Sequence, residues 1–116
     1  METKTLINKT ALVTGGGGPA MGSSHCIKLS EMGAHVIVMD KREDKARDVS
    51  LKINKSGGSS DYIGCDITNI SQTSDAIKKI QSNRFIDILV NHAGISGMSL
   101  PFEKITETIF DEMISI

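Results

Sequence analysis

The stretch VTGGGGPAMG, residues 13–22, decides how the rest of the chain is interpreted. It follows a β-branched run, TALVT at 10–14, and overlaps a helical pattern over 20–33 that ends at Gly33. A turn between strand and helix gathers backbone N–H groups and a helix N-terminus at one point, where a pyrophosphate fits. Glycine suits such a turn because a Cβ would collide with the phosphate or block positive φ. The alternative is a plain tight turn. A Walker loop is excluded, because no Gly-Lys-Ser/Thr follows.

Length, composition and charge narrow the class of protein. The 116 residues suit one domain, and the 39% hydrophobic and 23% charged fractions are typical of a soluble globular protein. A net charge of -1 gives no electrostatic reason to expect nucleic acid or an anionic membrane as a partner. No apolar run approaches the roughly 20 residues of a membrane span, and residues 1–10 contain no signal-peptide core.

The two cysteines, Cys26 and Cys65, are too few for a disulfide scaffold, and no Cys/His spacing resembles a zinc site. They predict reduced thiols in a cytoplasmic protein with no metal. His25 precedes Cys26, but neighbours on a helix point in different directions. We therefore interpret this pair as packing residues and not as a thiol–imidazole pair.

Short β-branched runs alternate with longer helical patterns along the whole chain. The predicted strands are 10–14, 35–40, 61–66 and 85–91, and the predicted helices are 20–33, 42–58, 68–80 and 106–116. Thr68 is the expected N-cap of the third helix. The last helix is expected to turn Ile109, Phe110, Met113 and Ile114 inward. This alternation predicts a parallel sheet covered by helices on both faces.

An acidic residue stands at the end of the second predicted strand. Asp40 closes HVIVMD, 18 residues after Gly22, where an acid of a dinucleotide site accepts hydrogen bonds from the adenosine ribose. Its charge would repel a 2′-phosphate and so favours NAD, whereas Lys41 or Arg42 could reach a 2′-phosphate and keep NADP open. Alone, the acid is typical of a solvated loop. The glycine loop and the acid together favour a dinucleotide site.

Three motifs together resemble the short-chain dehydrogenase/reductase family. They are TALVTGG with its glycines and Asp40, CDIT at 65–68, and DILVNHAGI at 87–95, which is similar to the family's Asn-Asn-Ala-Gly motif after the fourth strand. The resemblance covers nearly the whole chain in order. It implies a Rossmann-like, doubly wound α/β fold with strand order 3-2-1-4 in a single dinucleotide-binding domain over 1–116. A methyltransferase of similar fold shares the glycine loop and the acid, but CDIT and NHAG argue against it.

The resemblance also implies roles for the residues after the third and fourth strands. Asp66 would accept a hydrogen bond from the adenine amino group beside the Ile67 backbone, and Asn91 would tie the central strands together. Asn91 carries both a donor and an acceptor for that purpose. Ala93 and Gly94 are small where the cofactor must approach. The expected cofactor-binding residues are Gly15, Gly18, Ala20, Met21, Gly22, Asp40, Lys41, Asp66, Ile67, Asn91, Ala93 and Gly94.

The chain departs from the family's glycine motif and from its fourth-strand motif. If Gly22 is aligned with the last motif glycine, the loop is one residue longer and Ala20 replaces the middle glycine. Pro19 removes one N–H from the expected phosphate cradle. His92 replaces the second Asn of the later motif, and we interpret it as a tolerated variant with no catalytic role.

The family's catalytic serine and Tyr-x-x-x-Lys motif are missing from this sequence. The one tyrosine, Tyr62, lies in the third predicted strand, and Asp66 stands four residues later. No catalytic residue is therefore expected. The chain ends at Ile116, inside the helix after the fourth strand, so we expect a domain that is incomplete at its C-terminus. Strand 85–91 would then be a sheet edge.

Two functions are compatible with these observations. The first is an NAD(P)-dependent oxidoreductase that transfers hydride between nicotinamide and an alcohol or carbonyl, represented here by its cofactor-binding half. The second is a non-catalytic dinucleotide-binding remnant or an inactive truncated product. The expected cofactor is NAD, with NADP possible. A homo-oligomer is typical of the family but not expected of this fragment, and the substrate is not predicted.

Overall fold

A computed structural model describes residues 4–96 and 99–116. The elements are β1 (Thr10–Thr14), α1 (Met21–Glu31), β2 (His35–Asp40), α2 (Glu43–Lys55), β3 (Ser59–Gly64), α3 (Ile70–Gln81), β4 (Ile88–Asn91), a 3₁₀ turn (Phe102–Lys104) and α4 (Glu107–Ile114). The strands form one parallel sheet in the order β3-β2-β1-β4. The predicted α/β class and strand order are therefore confirmed. In the described ranges, no helix is long and apolar enough to span a bilayer.

The two faces of the sheet are buried against different helices. Successive residues of a strand point to opposite faces of the sheet, so β1 and β2 each contribute residues to the core layers on both faces. The layer on the side of α1 and α2 contains Ala11, Val13, Cys26, Val36, Val38, Ala46 and Ile53. The layer on the side of α3 contains Leu12, Ile37, Met39, Cys65, Ala76 and Ile80. Helices on both sides of a parallel sheet confirm the doubly wound arrangement.

The third strand begins and ends two residues earlier than predicted, at Ser59–Gly64. Its first residues are polar, which is why the sequence pattern favoured a turn there. Ser60 is nevertheless buried, because its hydroxyl bonds to the hydroxyl of Ser50 at 2.7 Å and to Asn54 Oδ1 at 3.1 Å. Hydrogen bonds to α2 thus let a polar residue occupy a buried strand position.

The helix caps differ from the predicted ones by a residue or two. α3 is capped by Asn69, whose side chain accepts from the Gln72 N–H at 3.0 Å, and not by Thr68. α1 ends at Glu31 and is followed by Gly33, whose φ of +102° confirms the predicted closing glycine.

The last part of the chain is more exposed than predicted. β4 begins at Ile88 and lies at the edge of the described sheet, and Phe85 is 79% exposed outside it. In α4, Phe110, Met113 and Ile114 are exposed, and Ile109 is half-buried. The prediction that the apolar face of α4 turns into the core is therefore wrong for three of its four residues, because no described element packs over that face.

Candidate functional site

A cleft of about 840 Å³ opens at the carboxyl ends of the four strands. It lies where the topology reverses, because the chain runs outward from β1 to β3 and then returns to the other side of β1 as β4. The loops after β1 and β4 separate at such a point, and ligands of open α/β sheets bind there.

Eight of the twelve predicted cofactor residues line this cleft, two from the end of each strand. They are Gly15 and Gly18, Asp40 and Lys41, Asp66 and Ile67, and Ala93 and Gly94. The other four do not line it. Ala20 and Met21 are exposed at the start of α1, Gly22 is buried beside them, and Asn91 pairs with Thr14 across β4 and β1.

The glycines allow close packing of the protein on itself. Gly15 has a φ of +65°, and a Cβ there would lie 2.9 Å from Cα of Ala93. A Cβ at Gly22 would overlap the carbonyl oxygen of Gly15. The loop after β1, the start of α1 and the loop after β4 therefore meet with no room for a side chain at either glycine.

The backbone N–H groups of the loop divide into two sets. Those of the middle glycines already donate within the protein: Gly16 to Met39 O at 3.0 Å, Gly17 to Asp40 Oδ2 at 3.1 Å, and Gly18 to Gly15 O at 3.2 Å. Helix α1 has no side-chain N-cap at Ala20, and in the described part of the chain the N–H groups of Met21 and Gly22 have no partner. The unpartnered N–H donors are therefore at the start of α1, where Met21 is exposed and Gly22 is buried.

The carboxylate of Asp40 holds the glycine loop against the end of β2. It is only 6% exposed and accepts from the Gly17 N–H, from the Arg42 N–H at 2.9 Å and from Arg42 Nε at 3.3 Å. The backbone of the loop and a neighbouring cation thus both contact this acid.

A second ion pair joins the ends of β2 and β3 in the cleft. Lys41 Nζ lies 3.7 Å from Asp66 Oδ2. The hydroxyl and the N–H of Thr68 donate to Asp66 Oδ1 at 2.7 and 3.0 Å, and together with Lys41 they hold the pKa of Asp66 below its ordinary value. Asp66 is therefore ionised and partnered at neutral pH.

Thr14 has a role at the site that the sequence did not reveal. Its hydroxyl donates to Val90 O at 3.3 Å and accepts from the N–H groups of His92 and Ala93, both at 3.1 Å. The side chain at the end of β1 thus fixes the start of the loop after β4. Its place directly before the glycines was the available signal, but only the register of β1 against β4 gives it a partner.

Two histidines pack together beside the cleft. The rings of His25 on α1 and His92 after β4 are 5.2 Å apart and perpendicular, at 88°. Cys26 is fully buried, its Sγ lies 3.7 Å from Gly16 O, and burial raises its pKa to about 12. The interpretation of His25 and Cys26 as packing residues is therefore confirmed.

The chemistry of the cleft fits an elongated anionic nucleotide. Its volume and the close-packed backbone at Gly15 and Ala93 provide space for a diphosphate. The glycine loop that lines it at Gly15 and Gly18 leads into the unpartnered N–H groups at the start of α1. Among the described residues no cluster of three metal-ligating side chains occurs. The arrangement can bind and orient a ligand.

Comparisons with known proteins agree with this geometry. A family model described as short chain dehydrogenase matches residues 9–116. A cyclopentanol dehydrogenase from Comamonas sp. (strain NCIMB 9872) is 32% identical over 111 residues, which are 94% of this chain and 43% of that protein. The solved structure of a citronellol catabolism dehydrogenase (AtuB) from Pseudomonas aeruginosa PAO1 superposes with a TM-score of 0.90 at 28% identity, over 99% of this chain and 46% of that one.

A metagenomic short-chain oxidoreductase solved in complex with NADP superposes with a TM-score of 0.87 at 25% identity. The match covers 95% of this chain and 50% of that chain. The chain thus spans half or less of the length of each of these three relatives.

Proposed function

The chain belongs to the short-chain dehydrogenase family, and from this membership we propose that residues 1–116 form a single dinucleotide-binding domain whose cleft binds a nicotinamide dinucleotide. One observation carries the proposal. Eight residues predicted from sequence to hold the cofactor line one cleft, with two from the end of each strand. They would bind it together with the backbone of Ala20, Met21 and Gly22 and with Asn91.

We assign each part of the dinucleotide to a different set of residues. The unpartnered N–H groups of Met21 and Gly22 would donate to the pyrophosphate. Asp66 and the Ile67 backbone would face the adenine, and Ala93 and Gly94 would leave room for the ribose. A bound nicotinamide ring would supply or accept a hydride, and this chain's own residues bind and orient it.

We propose NAD as the preferred cofactor. The carboxylate of Asp40 lines the cleft at the end of β2, where its charge disfavours a 2′-phosphate. NADP is the second candidate, because Arg42 lies 3.3 Å from Asp40 and masks part of its charge. The relative solved with NADP is compatible with this second candidate for the family, not for this chain in particular.

The proposed activity of the whole protein is hydride transfer between the nicotinamide and an alcohol or carbonyl substrate. No residue of 1–116 is assigned a catalytic role, because Tyr62 lies on β3 and the expected Tyr-x-x-x-Lys motif does not occur in the sequence. The alternative is a non-catalytic dinucleotide-binding protein. A homo-oligomer is proposed for the family's full-length members, with no interface assigned on this chain.

Binding and turnover of the purified 1–116 chain test the proposal. In calorimetric titrations, NADH and NADPH should both bind saturably, and NADH should bind more tightly than NADPH. With NAD⁺ supplied as the hydride acceptor, oxidation of simple secondary alcohols should remain undetectable. Absence of binding at millimolar NADH would contradict the proposed cleft function, and tighter binding of NADPH would contradict the cofactor preference alone. Turnover by this chain would contradict the assignment of no catalytic residue.

A further inference from the structure

Three side chains that line the described part of the cleft can carry positive charge: Lys41, Arg42 and His92. Lys41 and Arg42 each lie beside a carboxylate, at 3.7 and 3.3 Å. His92 differs from both. Across residues 4–96 and 99–116, the one histidine with a carboxylate at ion-pair distance is His35, at the other end of the sheet. His92 is therefore the cleft's basic side chain without an acidic partner.

The backbone of His92 is held firmly against the glycine loop. Its N–H donates to the Thr14 hydroxyl at 3.1 Å, as does the N–H of the next residue, Ala93. Ala93 in turn lies so close to Gly15 that a Cβ there would be 2.9 Å from its Cα. The backbone that carries the imidazole is therefore fixed between the end of β1 and the cleft.

The ring of His92 is held as well. His25 meets it edge to face, with 5.2 Å between the ring centroids. Such a contact favours one orientation of the second ring relative to the first. His25 belongs to the first half of α1, and the same helix begins with the unpartnered N–H groups of Met21 and Gly22. An anion bound at that helix start would therefore contact the same helix that contacts the ring of His92.

We propose that His92 donates a hydrogen bond to the pyrophosphate of the bound dinucleotide and that His25 is the positioning residue that holds its ring. This inference rests on the proposed function and deepens it. It also revises the interpretation of His92 as a tolerated variant. An imidazole carries at least one N–H donor in either protonation state, so it can donate to a phosphate oxygen.

Other ionisable groups share the surroundings of this ring and must be controlled. His25 packs on it from α1. The Asp40–Arg42 and Lys41–Asp66 pairs line the cleft from the ends of β2 and β3, and Glu112 lines it from α4. A change in the binding of a diphosphate is therefore assigned to His92 only by comparing variants that differ at this one position.

Two ligands separate the phosphate contact from the rest of the cleft. Adenosine lacks phosphate, and ADP-ribose carries the diphosphate without a nicotinamide. In calorimetry on the 1–116 chain, His92→Phe should weaken ADP-ribose about tenfold, the loss expected for one charge-assisted hydrogen bond, with adenosine affinity within about twofold. His92→Asn keeps a neutral N–H donor, so its ADP-ribose affinity should lie between those of the wild type and His92→Phe.

The role of His25 has its own matched pair of variants. His25→Ala removes the ring and should weaken ADP-ribose but not adenosine. His25→Phe keeps an aromatic edge against His92 and should retain the affinity of the wild type. Urea unfolding of each variant identifies any that lose the fold, and the remaining variants at the same position then decide the outcome.

Each outcome has a distinct consequence. If the wild type binds neither adenosine nor ADP-ribose, the proposed function is wrong and this inference falls with it. If the wild type binds both and His92→Phe binds ADP-ribose equally well, only the role of His92 is overturned. An equal loss of both ligands in His92→Phe would likewise overturn it, because the residue would then be structural.

Discussion

The carboxylate of Asp40 accepts a hydrogen bond from the backbone N–H of Gly17 at 3.1 Å, across 23 residues of sequence. Its other oxygen accepts from the Arg42 N–H at 2.9 Å. One buried side chain therefore joins the loop after β1 to the end of β2, at the edge of the cleft that Asp40 lines. Under the proposed function, this carboxylate would also recognise the ribose, so ribose binding and closure of the loop would depend on one side chain.

Removal of that carboxylate should destabilise the fold as well as alter nucleotide preference. Asp40→Ala leaves the N–H groups of Gly17 and Arg42 without acceptors, so we expect a loss of about 1–3 kcal/mol in the free energy of unfolding in urea. Asp40→Asn keeps one oxygen and should lose less. The matched control is Asp48→Ala on the exposed surface of α2, expected to change stability by no more than about 0.5 kcal/mol. Equal stability of Asp40→Ala and the control would contradict the role.

We expect the hydroxyl of Thr14 to contribute more to the free energy of unfolding than its methyl group does. Thr14→Val keeps the shape but removes the acceptor of the His92 and Ala93 N–H groups and the donor to Val90 O. We expect a loss of about 1–3 kcal/mol by urea unfolding, whereas Thr14→Ser, which keeps the hydroxyl, should stay nearer to the wild type. The reverse order of the two variants would show that packing, not hydrogen bonding, matters here.

Glycine substitutions should separate folding from binding. Gly15→Ala meets positive φ and the Ala93 backbone, and Gly22→Ala overlaps the Gly15 carbonyl, so both should cost more than about 2 kcal/mol of stability. A Cβ at Gly18 has its closest contact at 3.3 Å and needs no positive φ. Gly18→Ala should therefore fold and weaken NADH, because this residue lines the cleft. An unfolded Gly18→Ala would contradict this assignment.

Both thiols should be inert in the folded protein. Cys26 is fully buried with a pKa raised to about 12, and Cys65 is only 3% exposed, so neither sulfur is accessible to a reagent in the folded chain. A thiol reagent such as Ellman's should react with neither until urea unfolds the chain, and then with both. Rapid native labelling, located by mass spectrometry, would identify a cysteine whose surroundings differ from those described.

The sequence predicts strands well where apolar residues are continuous and poorly where hydrogen bonds replace them. The runs at 35–40 and 10–14 are nearly all buried, and their limits were predicted correctly. β3 was misplaced by two residues because Ser60 is buried through partners on α2, which a hydrophobic pattern cannot register. The apolar spacing of α4 predicted a buried face, but burial needs a neighbour, and no described element covers it.

The site was predictable to the extent that it follows strand ends. Asp40 ends β2 and Asp66 is the second residue after β3, and parallel strands bring such positions to one edge of the sheet. The contacts between these positions were not predictable. The Thr14–Ala93 hydrogen bond spans 79 residues of sequence. The contact of His25 with His92 joins helix α1 to the loop after β4, which is distant from α1 in the sequence. Both depend on the register of β4 beside β1.

At the opposite end of the sheet, His35 should make stability depend on pH. Its Nδ1 lies 2.6 Å from Ser59 Oγ and its Nε2 lies 3.0 Å from Asp61 Oδ2. Burial, together with the charge of Arg84, lowers the pKa of His35 below its ordinary value of 6.5, although Asp61 opposes the shift. The unfolded chain therefore takes up a proton at a higher pH than the folded chain does. Stability from this group is complete above about pH 6.5 and is lost as the pH falls towards the folded pKa.

Urea unfolding between about pH 5 and 8 measures this linkage, whose slope for one proton is at most about 1.4 kcal/mol per pH unit. His35→Gln should be less stable at pH 8, because it loses contacts to Ser59 and Asp61, but its stability should change less as the pH falls. His92→Asn, at the other end of the sheet, is the matched histidine control and should keep the slope that His35 contributes. If the free energy of unfolding of His35→Gln changes with pH as steeply as that of the wild type, another group is responsible. The folded state then does not disfavour protonation of His35.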